Sequence, residues 1–415
     1  MKQLLHTPEG VRDIYNMEYG KKLALQNSLQ QVLHSYGYQD IQTPTFEYFD
    51  VFRQEIRTTP SNELYKFFDR EGHTLVLRPD ITPSIARVAA TLFAHENLPI
   101  RLCYTGNIFI NHSSYQGRLK ESTQLGAELI GVDSPEADAE MLALVINCLQ
   151  KAGLKNFQIH VGNVDFFHSL IKDTEIKEEE EIRLRELINN HNYFGVEELL
   201  NTTKAKKSSR EAFALLPELV GGAKILEQAK QIAVNATALK AVKRLEMIYE
   251  LLKLYDAQQY ITFDLSMCGT YGYYTGIIFR GYTYGTGDSI VKGGRYDQLI
   301  EKFGKQSPSI GFAIVTDELM SALNRQKIQI PYVPTITLII CDEGRQKEAY
   351  SLATEFRTKR KNTEVILKSN EIAIDTYLEY GKRNHAHSML YIQDTQEILM
   401  FNILTGERKV IRDKK

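Results

Sequence analysis

The segments Tyr273-Tyr-Thr-Gly276, Gly293-Gly-Arg-Tyr-Asp297 and Ser309-Ile-Gly-Phe-Ala313 decide the fold of this chain. Aromatic and β-branched residues typical of strands surround them, mainly at positions 260–264 and 273–284. Glycines recur among these residues, and no helix start follows them to complete a phosphate site. Glycines in this setting indicate turns and close backbone approach around a small ligand. We therefore predict an antiparallel sheet that holds a small-molecule pocket.

The pattern of apolar residues extends this sheet toward the N-terminus and adds helices to it. Alternating or continuous apolar runs predict strands, and apolar residues at helical spacing predict amphipathic helices. The predicted strands are 40–44, 64–69, 73–78, 102–111, 123–130, 156–161, 260–264, 273–284, 287–292 and 309–313. The predicted helices of this part are 17–36, 136–152 and 317–326.

The length of the chain, 415 residues, exceeds what one hydrophobic core usually accommodates. We predict a core domain at 1–328 with a helical insertion at about 167–256, where Leu, Ala, Lys and Glu predominate and Gly221-Gly222 is an interruption. The prolines at Pro331 and Pro334 predict a linker. Strand-like and helical segments then alternate, and two strands close the chain, which predicts a short α/β domain at 335–415.

The composition excludes several classes of protein. With 43% hydrophobic and 25% charged residues, the chain is typical of folded globular proteins. A net charge of -2 gives no overall attraction to nucleic acid. The four cysteines lack metal-ligand spacing, so we expect reduced, buried thiols and neither a metal nor a cofactor. Because no signal peptide or membrane-spanning run is evident, we expect a cytoplasmic protein.

Polar side chains on this predicted sheet suggest which ligand the pocket holds. A carboxylate at Glu128, beside the hydroxyls of Tyr273 and Tyr274, could bind the N–H groups of an imidazole. Asp80 and the Thr82 hydroxyl could hold an α-ammonium group. Taken singly, each residue has a simpler explanation as a solvated or packing side chain. These groups are spread over four predicted strands, so they converge only if the strands share one sheet.

Several segments resemble those of class II histidyl-tRNA synthetases, in the same order. The similarity covers about residues 7–325, and the C-terminal part is similar to the anticodon-binding domain of that family. It implies a class II synthetase-like antiparallel sheet core with a helical insertion, and it adds Gln124 to the residues at the amino-acid end of the ligand. The segments are Thr7-Pro-Glu-Gly-Val-Arg-Asp13, Leu77-Arg-Pro-Asp-Ile-Thr82, Gln124-Leu-Gly-Ala-Glu128, Tyr273-Tyr-Thr-Gly276, Gly293-Gly-Arg-Tyr-Asp297 and Ser309-Ile-Gly-Phe-Ala313.

The chain departs from that family at the positions that would hold ATP. The arginine expected after a strand phenylalanine is Ile110, and the next two expected charged residues are His112 and Ser113. The arginine that would close the nucleotide pocket is replaced by Glu318, and the arginine that would face the ligand carboxylate is Gly269. Loss of these cations removes the charge stabilisation that adenylation requires. We therefore predict no catalytic residues and a protein that is not itself an enzyme.

The segment Leu77-Arg-Pro-Asp-Ile-Thr-Pro-Ser-Ile-Ala-Arg87 resembles the regulatory subunits of ATP phosphoribosyltransferase, which are synthetase-like proteins of histidine biosynthesis. The resemblance implies a short-form catalytic subunit as the partner and free histidine as an inhibitory effector. It also implies a homodimer, built around Pro44, within a hetero-oligomer. Two alternatives remain, an active histidyl-tRNA synthetase and a synthetase-derived RNA-binding or sensor protein. The basic run 357–361 is expected to be a solvated helix end, so tRNA is not expected as a partner.

Overall fold

The chain forms two compact units in this computed structural model, which describes residues 5–52, 59–112, 118–172, 174, 176–203, 205–269, 273–332, 336–395, 397–403 and 405–412. The first unit comprises Met1–Asp13 and Leu25–Ile330, and the second comprises Ile14–Ala24 and Pro331–Lys415. The sequence did not predict that the N-terminal half of the first helix would group with the C-terminal residues. Pro334, in the predicted linker, lies outside the described residues.

The first unit combines strands with helices before, between and after them. Its strands are β1 (Gln39–Asp40), β2 (Phe46–Tyr48), β3 (Lys66–Phe68), β4 (Thr74–Leu77), β5 (Ile100–Phe109), β6 (Glu121–Ile130), β7 (Phe157–Asn163), β8 (Val220–Gly221), β9 (Ile261–Asp264), β10 (Ile277–Thr283), β11 (Val291–Arg295) and β12 (Ser309–Val315). Its helices are the second part of α1 (Asn16–Ser35), then α2 (Thr82–Thr91), α3 (Pro135–Lys151), α4 (Val164–Lys172), α5 (Glu178–Asn189), α6 (Tyr193–Asn201), α7 (Lys207–Leu215), α8 (Lys224–Gln231), α9 (Ala236–Leu254) and α10 (Thr316–Arg325).

A nine-stranded sheet carries the core, in the order β1-β5-β6-β12-β11-β10-β7-β9-β8. Its neighbours are antiparallel except in the pairs β1–β5 and β7–β9. The predicted antiparallel core is therefore confirmed for its six central strands, from β5 to β7. A separate three-stranded sheet, β2-β4-β3, contains the hairpin predicted between residues 64 and 78.

Several predicted strand limits are wrong, and the chain geometry explains them. Strand β10 begins only at Ile277 because Gly276 has φ 63°, a left-handed conformation that ends the extended segment before it. Strand β11 begins at Val291, since Gly285 has φ 86° and the residues between are a turn. The strand expected at 40–44 is only the two-residue β1.

The helical insertion predicted at about 167–256 corresponds to α4–α9, but it is not wholly helical. At the predicted interruption, Val220 and Gly221 form β8, which pairs antiparallel with β9. The insertion therefore adds an edge strand to the main sheet. Side chains of Ser134 and Asn235 cap α3 and α9 by accepting bonds from backbone N–H groups.

The C-terminal unit is an α/β domain with a five-stranded sheet in the order β14-β13-β15-β16-β17. Three closing strands are present where the sequence analysis predicted two. The last strand was missed because a turn at Gly406, with φ 73°, leaves just enough chain to pair antiparallel with β16. The elements are β13 (Ile336–Cys341), α11 (Gln346–Thr358), β14 (Asn362–Leu367), α12 (Ile374–Arg383), β15 (Ser388–Ile392), β16 (Glu397–Asn402) and β17 (Arg408–Arg412).

All four cysteines are buried free thiols, as predicted. Burial raises the pKa of the Cys103 thiol to about 12, and the adjacent Asp40 carboxylate adds to this rise. The thiolate form of Cys103 is therefore disfavoured. None of the helices among the described residues combines the length and the continuous apolar character that a bilayer crossing requires.

Candidate functional site

One cleft in the first unit is lined by all six residues that the sequence analysis predicted as ligand contacts. It encloses about 420 Å³ of space free of protein atoms, including its open mouth, which is within the range of small-molecule pockets. The rest of the lining comes from β11, β12 and the residue after β11. The six predicted residues are Asp80, Thr82, Gln124, Glu128, Tyr273 and Tyr274.

The elements that carry these side chains differ from the four strands that the sequence analysis expected. Only Gln124 and Glu128 lie on a strand, β6. Thr82 is the first residue of α2, and Asp80 lies in the loop just before it. Tyr273 and Tyr274 lie in the segment before β10. Convergence therefore depends on one strand of the sheet and on two connecting segments that fold over it.

Glu128 is at the centre of the cleft, and its side chain is 1% exposed. Oε1 accepts hydrogen bonds from the hydroxyls of Thr82 at 3.0 Å and Tyr104 at 3.4 Å, and Oε2 accepts one from Tyr296 at 2.7 Å. Burial raises the pKa of Glu128 to about 8, and the nearby Asp80 carboxylate adds to this rise. Three hydroxyl donors only partly offset the cost of burying the charge, so the protonated form of Glu128 is favoured in the unliganded chain, and a bound positive charge would favour the carboxylate.

Asp80 is the second buried carboxylate of the cleft. Its Oδ2 accepts a hydrogen bond from the Tyr273 hydroxyl at 3.2 Å, and its Oδ1 accepts one from the backbone N–H of Thr82 at 3.4 Å. Burial raises its pKa above the ordinary value. Neither Asp80 nor Glu128 forms an ion pair within the described part of the chain. Two buried acids without a bound cation favour a ligand that brings positive charge or N–H donors.

The Gln124 side chain adds an acceptor without a partner. Its Oε1 is buried and accepts no hydrogen bond from the described protein atoms. An unsatisfied buried carbonyl oxygen carries a free-energy cost, which a donor on a bound molecule would remove. Gln124 is directly opposite Gly106 on β5 and Val315 on β12, so its backbone position in the cleft floor is fixed by pairing on both sides.

A hydrogen-bonded loop positions the two tyrosines. The Thr275 hydroxyl donates to Asp297 Oδ2 at 3.0 Å, and the backbone N–H of Asp297 donates to the Thr275 oxygen at 2.9 Å. The Tyr273 and Tyr274 rings are 4.9 Å apart, tilted by 48°. A Cβ at Gly294 would lie 2.8 Å from the Tyr274 ring, so this position of the Gly-Gly-Arg-Tyr-Asp segment leaves room for the ring.

Buried arginines hold the framework of the cleft and are not available to a ligand. Arg295 donates to Asp138 Oδ1 through Nε at 2.9 Å and through Nη2 at 2.7 Å. Arg78 is 6% exposed; its Nε donates to the Asn107 carbonyl at 2.8 Å and its Nη1 to that of Thr43 at 2.9 Å. Arg78 thereby ties the chain just before Asp80 to the sheet. The motif arginines are structural in this protein.

The sequence analysis missed Tyr296 and Lys292, which line the cleft, and Tyr104, which is hydrogen-bonded to Glu128 without lining the cleft. Tyr104 and Tyr296 are buried and donate to Glu128, and Tyr296 belongs to the segment Gly293-Gly-Arg-Tyr-Asp297. Lys292, two residues before Gly294, lines the cleft as well. A count of hydroxyl donors needed by a buried glutamate could have identified the tyrosines.

The positions expected to hold ATP have the following surroundings. Ile110 packs against the apolar cluster that contains Tyr104, Tyr273 and Tyr296. Glu318 is half-buried in the first turn of α10. Gly269, with φ 74°, lines a smaller recess that adjoins the cleft. Ser113 lies outside the described residues.

Comparison with known proteins gives one consistent relationship. A family model described as histidyl-tRNA synthetase matches residues 10–319. A protein of Acetivibrio thermocellus, the ATP phosphoribosyltransferase regulatory subunit, is 38% identical over 405 residues, which cover 97% of this chain and 96% of that protein. The protein of the same name from Clostridium acetobutylicum is 37% identical, with 88% of this chain and 90% of that protein covered.

Solved structures show the same fold. A structure from Bacillus halodurans, described as an ATP phosphoribosyltransferase regulatory subunit/histidyl-tRNA synthetase, has a TM-score of 0.83 at 29% identity, with 94% of this chain and 98% of that chain covered. A histidyl-tRNA synthetase from Nostoc has a TM-score of 0.79 at 18% identity, which shows the fold alone. The chain therefore belongs to the family of ATP phosphoribosyltransferase regulatory subunits, which have the histidyl-tRNA synthetase-like fold.

Proposed function

We propose that this chain binds free histidine in the cleft around Glu128 and thereby controls a short-form ATP phosphoribosyltransferase catalytic subunit, without catalysing a reaction itself. The catalytic partner requires this chain for activity and for inhibition by histidine. The observation that carries the proposal is the pair of buried carboxylates, Glu128 and Asp80, in a cleft that offers them no cationic partner among its described hydrogen bonds and ion pairs.

Each part of histidine matches a group in the cleft. An imidazole N–H would donate to Glu128, whose carboxylate is already oriented by three hydroxyls, with Tyr273 and Tyr274 alongside the ring. The α-ammonium group would donate to Asp80 and to the hydroxyl of Thr82. It would also satisfy the Gln124 oxygen that has no partner in the unliganded chain.

Inhibition follows from differential affinity alone. If histidine binds the inhibited assembly more tightly than the active one, it shifts the population toward inhibition by the ratio of those affinities. By linkage, the substrates of the partner would weaken histidine binding by the same factor by which histidine weakens substrate binding. No covalent change in histidine is needed.

The absence of synthetase activity rests on the charges near the expected nucleotide position. Ile110 is packed into an apolar cluster, and Glu318 would place a carboxylate near a triphosphate. Gly269 has no side chain to offer. Of these three positions none provides a cation, so the site lacks the electrostatic stabilisation on which phosphoryl and adenylyl transfer depend.

A homodimer is proposed as the core of the hetero-oligomer. Close to Pro44, strands β2 and β3 expose aromatic rings on one face of the three-stranded sheet: Phe46 is 51%, Tyr48 55% and Phe67 37% exposed. The Phe46 and Phe67 rings meet edge to face with centroids 5.8 Å apart. An exposed aromatic patch of this kind is typical of protein–protein interfaces, and a symmetric dimer would bury it against its own copy.

The test is reconstitution with a short-form catalytic subunit from the same organism. The catalytic subunit is expected to be inactive alone, to gain turnover when mixed with this chain, and to become inhibited as histidine is added. Glu128→Ala is expected to preserve the gain of activity while weakening inhibition. The control is Glu121→Ala on the same strand, because Glu121 bonds to Asn107 and does not line the cleft. Histidine-dependent pyrophosphate exchange by this chain alone would instead favour the synthetase alternative.

A further inference from the structure

A recess with positive charge adjoins the cleft. It is lined by Gly269 and Arg280 and shares Tyr274, Lys292 and Gly293 with the cleft that contains Glu128. The Lys292 side chain therefore faces both spaces. Asp80 and Glu128 line only the larger one. The cleft thus presents two carboxylates, the recess presents two cations, and Lys292 is shared by both spaces.

Arg280 and Lys292 are held next to each other by the sheet. They are directly paired on the antiparallel strands β10 and β11, so their side chains project from the same face. Like charges opposite each other in an antiparallel pair repel. Among the described residues, Lys292 forms an ion pair with Asp288, whose Oδ2 is 3.5 Å from Nζ, longer than a strong charge-assisted hydrogen bond. Arg280 also interacts with the Tyr282 side chain and with the charge of Asp288, so two positive charges and one negative charge surround the recess.

The surroundings of Lys292 reinforce this positive character. Burial lowers the pKa of His112, and Arg118, Lys292 and Lys120 lower it further, with Glu63 acting in the opposite direction. Lys292 is 36% exposed and has a flexible side chain, so its ammonium group can move toward a ligand without unfolding the sheet. Lys120 belongs to the same group of cations but does not line the cleft.

We propose that Lys292 binds the α-carboxylate of the ligand, with Arg280 beside it supporting the positive charge. This inference rests on the proposed function, because it extends the same ligand from the imidazole and ammonium contacts into the recess. It defines the ligand class as zwitterionic α-amino acids. The cleft neutralises the ammonium group at Asp80, and the recess neutralises the carboxylate at Lys292. The sequence analysis had left the carboxylate without a cation, since Gly269 stands where an arginine was expected.

Calorimetric titration of the full chain with histidine and with histidinol, which has an alcohol in place of the carboxylate, tests the inference. Unaltered protein is expected to bind histidine about tenfold or more tightly than histidinol, the range of a charge-assisted hydrogen bond. Lys292→Gln should weaken histidine binding by about that factor and leave histidinol binding unchanged. Lys292→Arg should retain most of the preference for histidine, because it keeps the positive charge.

Lys120→Gln is the matched control, since it removes a nearby positive charge that does not reach the cleft. It is expected to change histidine affinity by less than about twofold in moderate salt. Equal affinities for histidine and histidinol in the unaltered protein would overturn the inference while leaving the proposed function intact. The same conclusion follows if Lys292→Gln weakens both ligands equally, or if Lys120→Gln has the same effect as Lys292→Gln.

Two further outcomes distinguish this inference from its alternatives. If neither compound binds the unaltered protein, the proposed function fails, and the inference fails with it. If inorganic phosphate binds the unaltered protein and Lys292→Gln abolishes phosphate binding but not histidine binding, the recess is a phosphate site and the inference is wrong. Thermal unfolding of each variant accompanies the titrations, so that a loss of binding is not confused with a loss of fold.

Discussion

The cleft around Glu128 and the segment from Phe109 to His112 differ in what they present to a ligand. In the cleft, hydroxyls and carboxylates converge on a shared space, and a buried amide oxygen has no partner. In the neighbouring segment, Ile110 is packed among apolar side chains. Polar groups that remain buried at an energetic cost indicate a binding role, whereas an apolar replacement carries no such cost. The difference supports recognition of an amino acid without use of ATP.

The largest effect is expected from Gly311→Ala, which would remove histidine recognition from the cleft around Glu128. A Cβ at Gly311 would collide with Glu128 Oε2, so the glutamate must move or the sheet must shift. We expect histidine affinity to fall by about tenfold to a hundredfold, because the oriented carboxylate is lost. Calorimetric titration measures this effect.

Gly222→Ala is the matched control for that prediction, since an added Cβ there meets no atom within 4 Å. Its histidine affinity should equal that of the unaltered protein. If Gly311→Ala retained full affinity and fold, Glu128 would not be the group that recognises the ligand.

A second effect concerns stability and pH. The pKa of Glu128 is raised from 4.5 to about 8 by burial, so the folded chain loses stability as pH rises between these values. Glu128→Gln has no ionisable group at this position and does not lose this stability. The free energy of unfolding of Glu128→Gln minus that of the unaltered protein should therefore increase with pH, by at most about 5 kcal/mol. Asp80, Thr82, Tyr104 and Tyr296 face the same carboxyl and remain in both proteins.

Urea unfolding at about pH 5 and about pH 8.5 measures this change, and the difference between the two proteins should be small at the lower pH. A difference that does not vary with pH would mean that Glu128 is ionised throughout this range, and the cleft would then be less desolvated than its burial indicates.

The smallest effect is expected from Gln124→Met, which tests whether the α-ammonium group of the ligand donates to the Gln124 oxygen. The substitution removes an amide oxygen that has no partner in the unliganded chain, so stability should be unchanged or slightly higher. Histidine affinity should fall by roughly fivefold, since one ligand hydrogen bond is lost. Thermal unfolding and calorimetry together measure both changes, and unchanged affinity would place the ammonium group elsewhere.

Much of this fold could be predicted because the periodicity of apolar residues reports burial directly. The long strands β5, β6 and β12 and the helices α3 and α10 lie within a few residues of their predicted positions. Errors arose where glycine conformation and hydrogen bonds between distant residues decide the outcome. Tyr273 has strand-like neighbours, but a left-handed Gly276 and the Thr275–Asp297 bonds place it in a loop.

The sequence predicted the six residues proposed to contact the ligand, but not the side chains that hydrogen-bond to them or lie beside them. Glu128 was chosen for its chemistry and its place in a motif, and it is buried in the cleft. Its donors Tyr104 and Tyr296 and the adjacent Lys292 come from strands or turns distant in sequence, and no local pattern marks such neighbours. Cross-strand register, which sets these neighbours, depends on the whole sheet.

The most direct test of the central claim is calorimetric titration of histidine into the full chain, with and without magnesium ATP, for the unaltered protein and for Glu128→Ala. We predict that histidine binds without nucleotide, that ATP leaves its affinity unchanged and yields no pyrophosphate, and that Glu128→Ala weakens binding by about tenfold to a hundredfold. Histidine binding that depends on ATP, or full affinity in Glu128→Ala, would contradict the account.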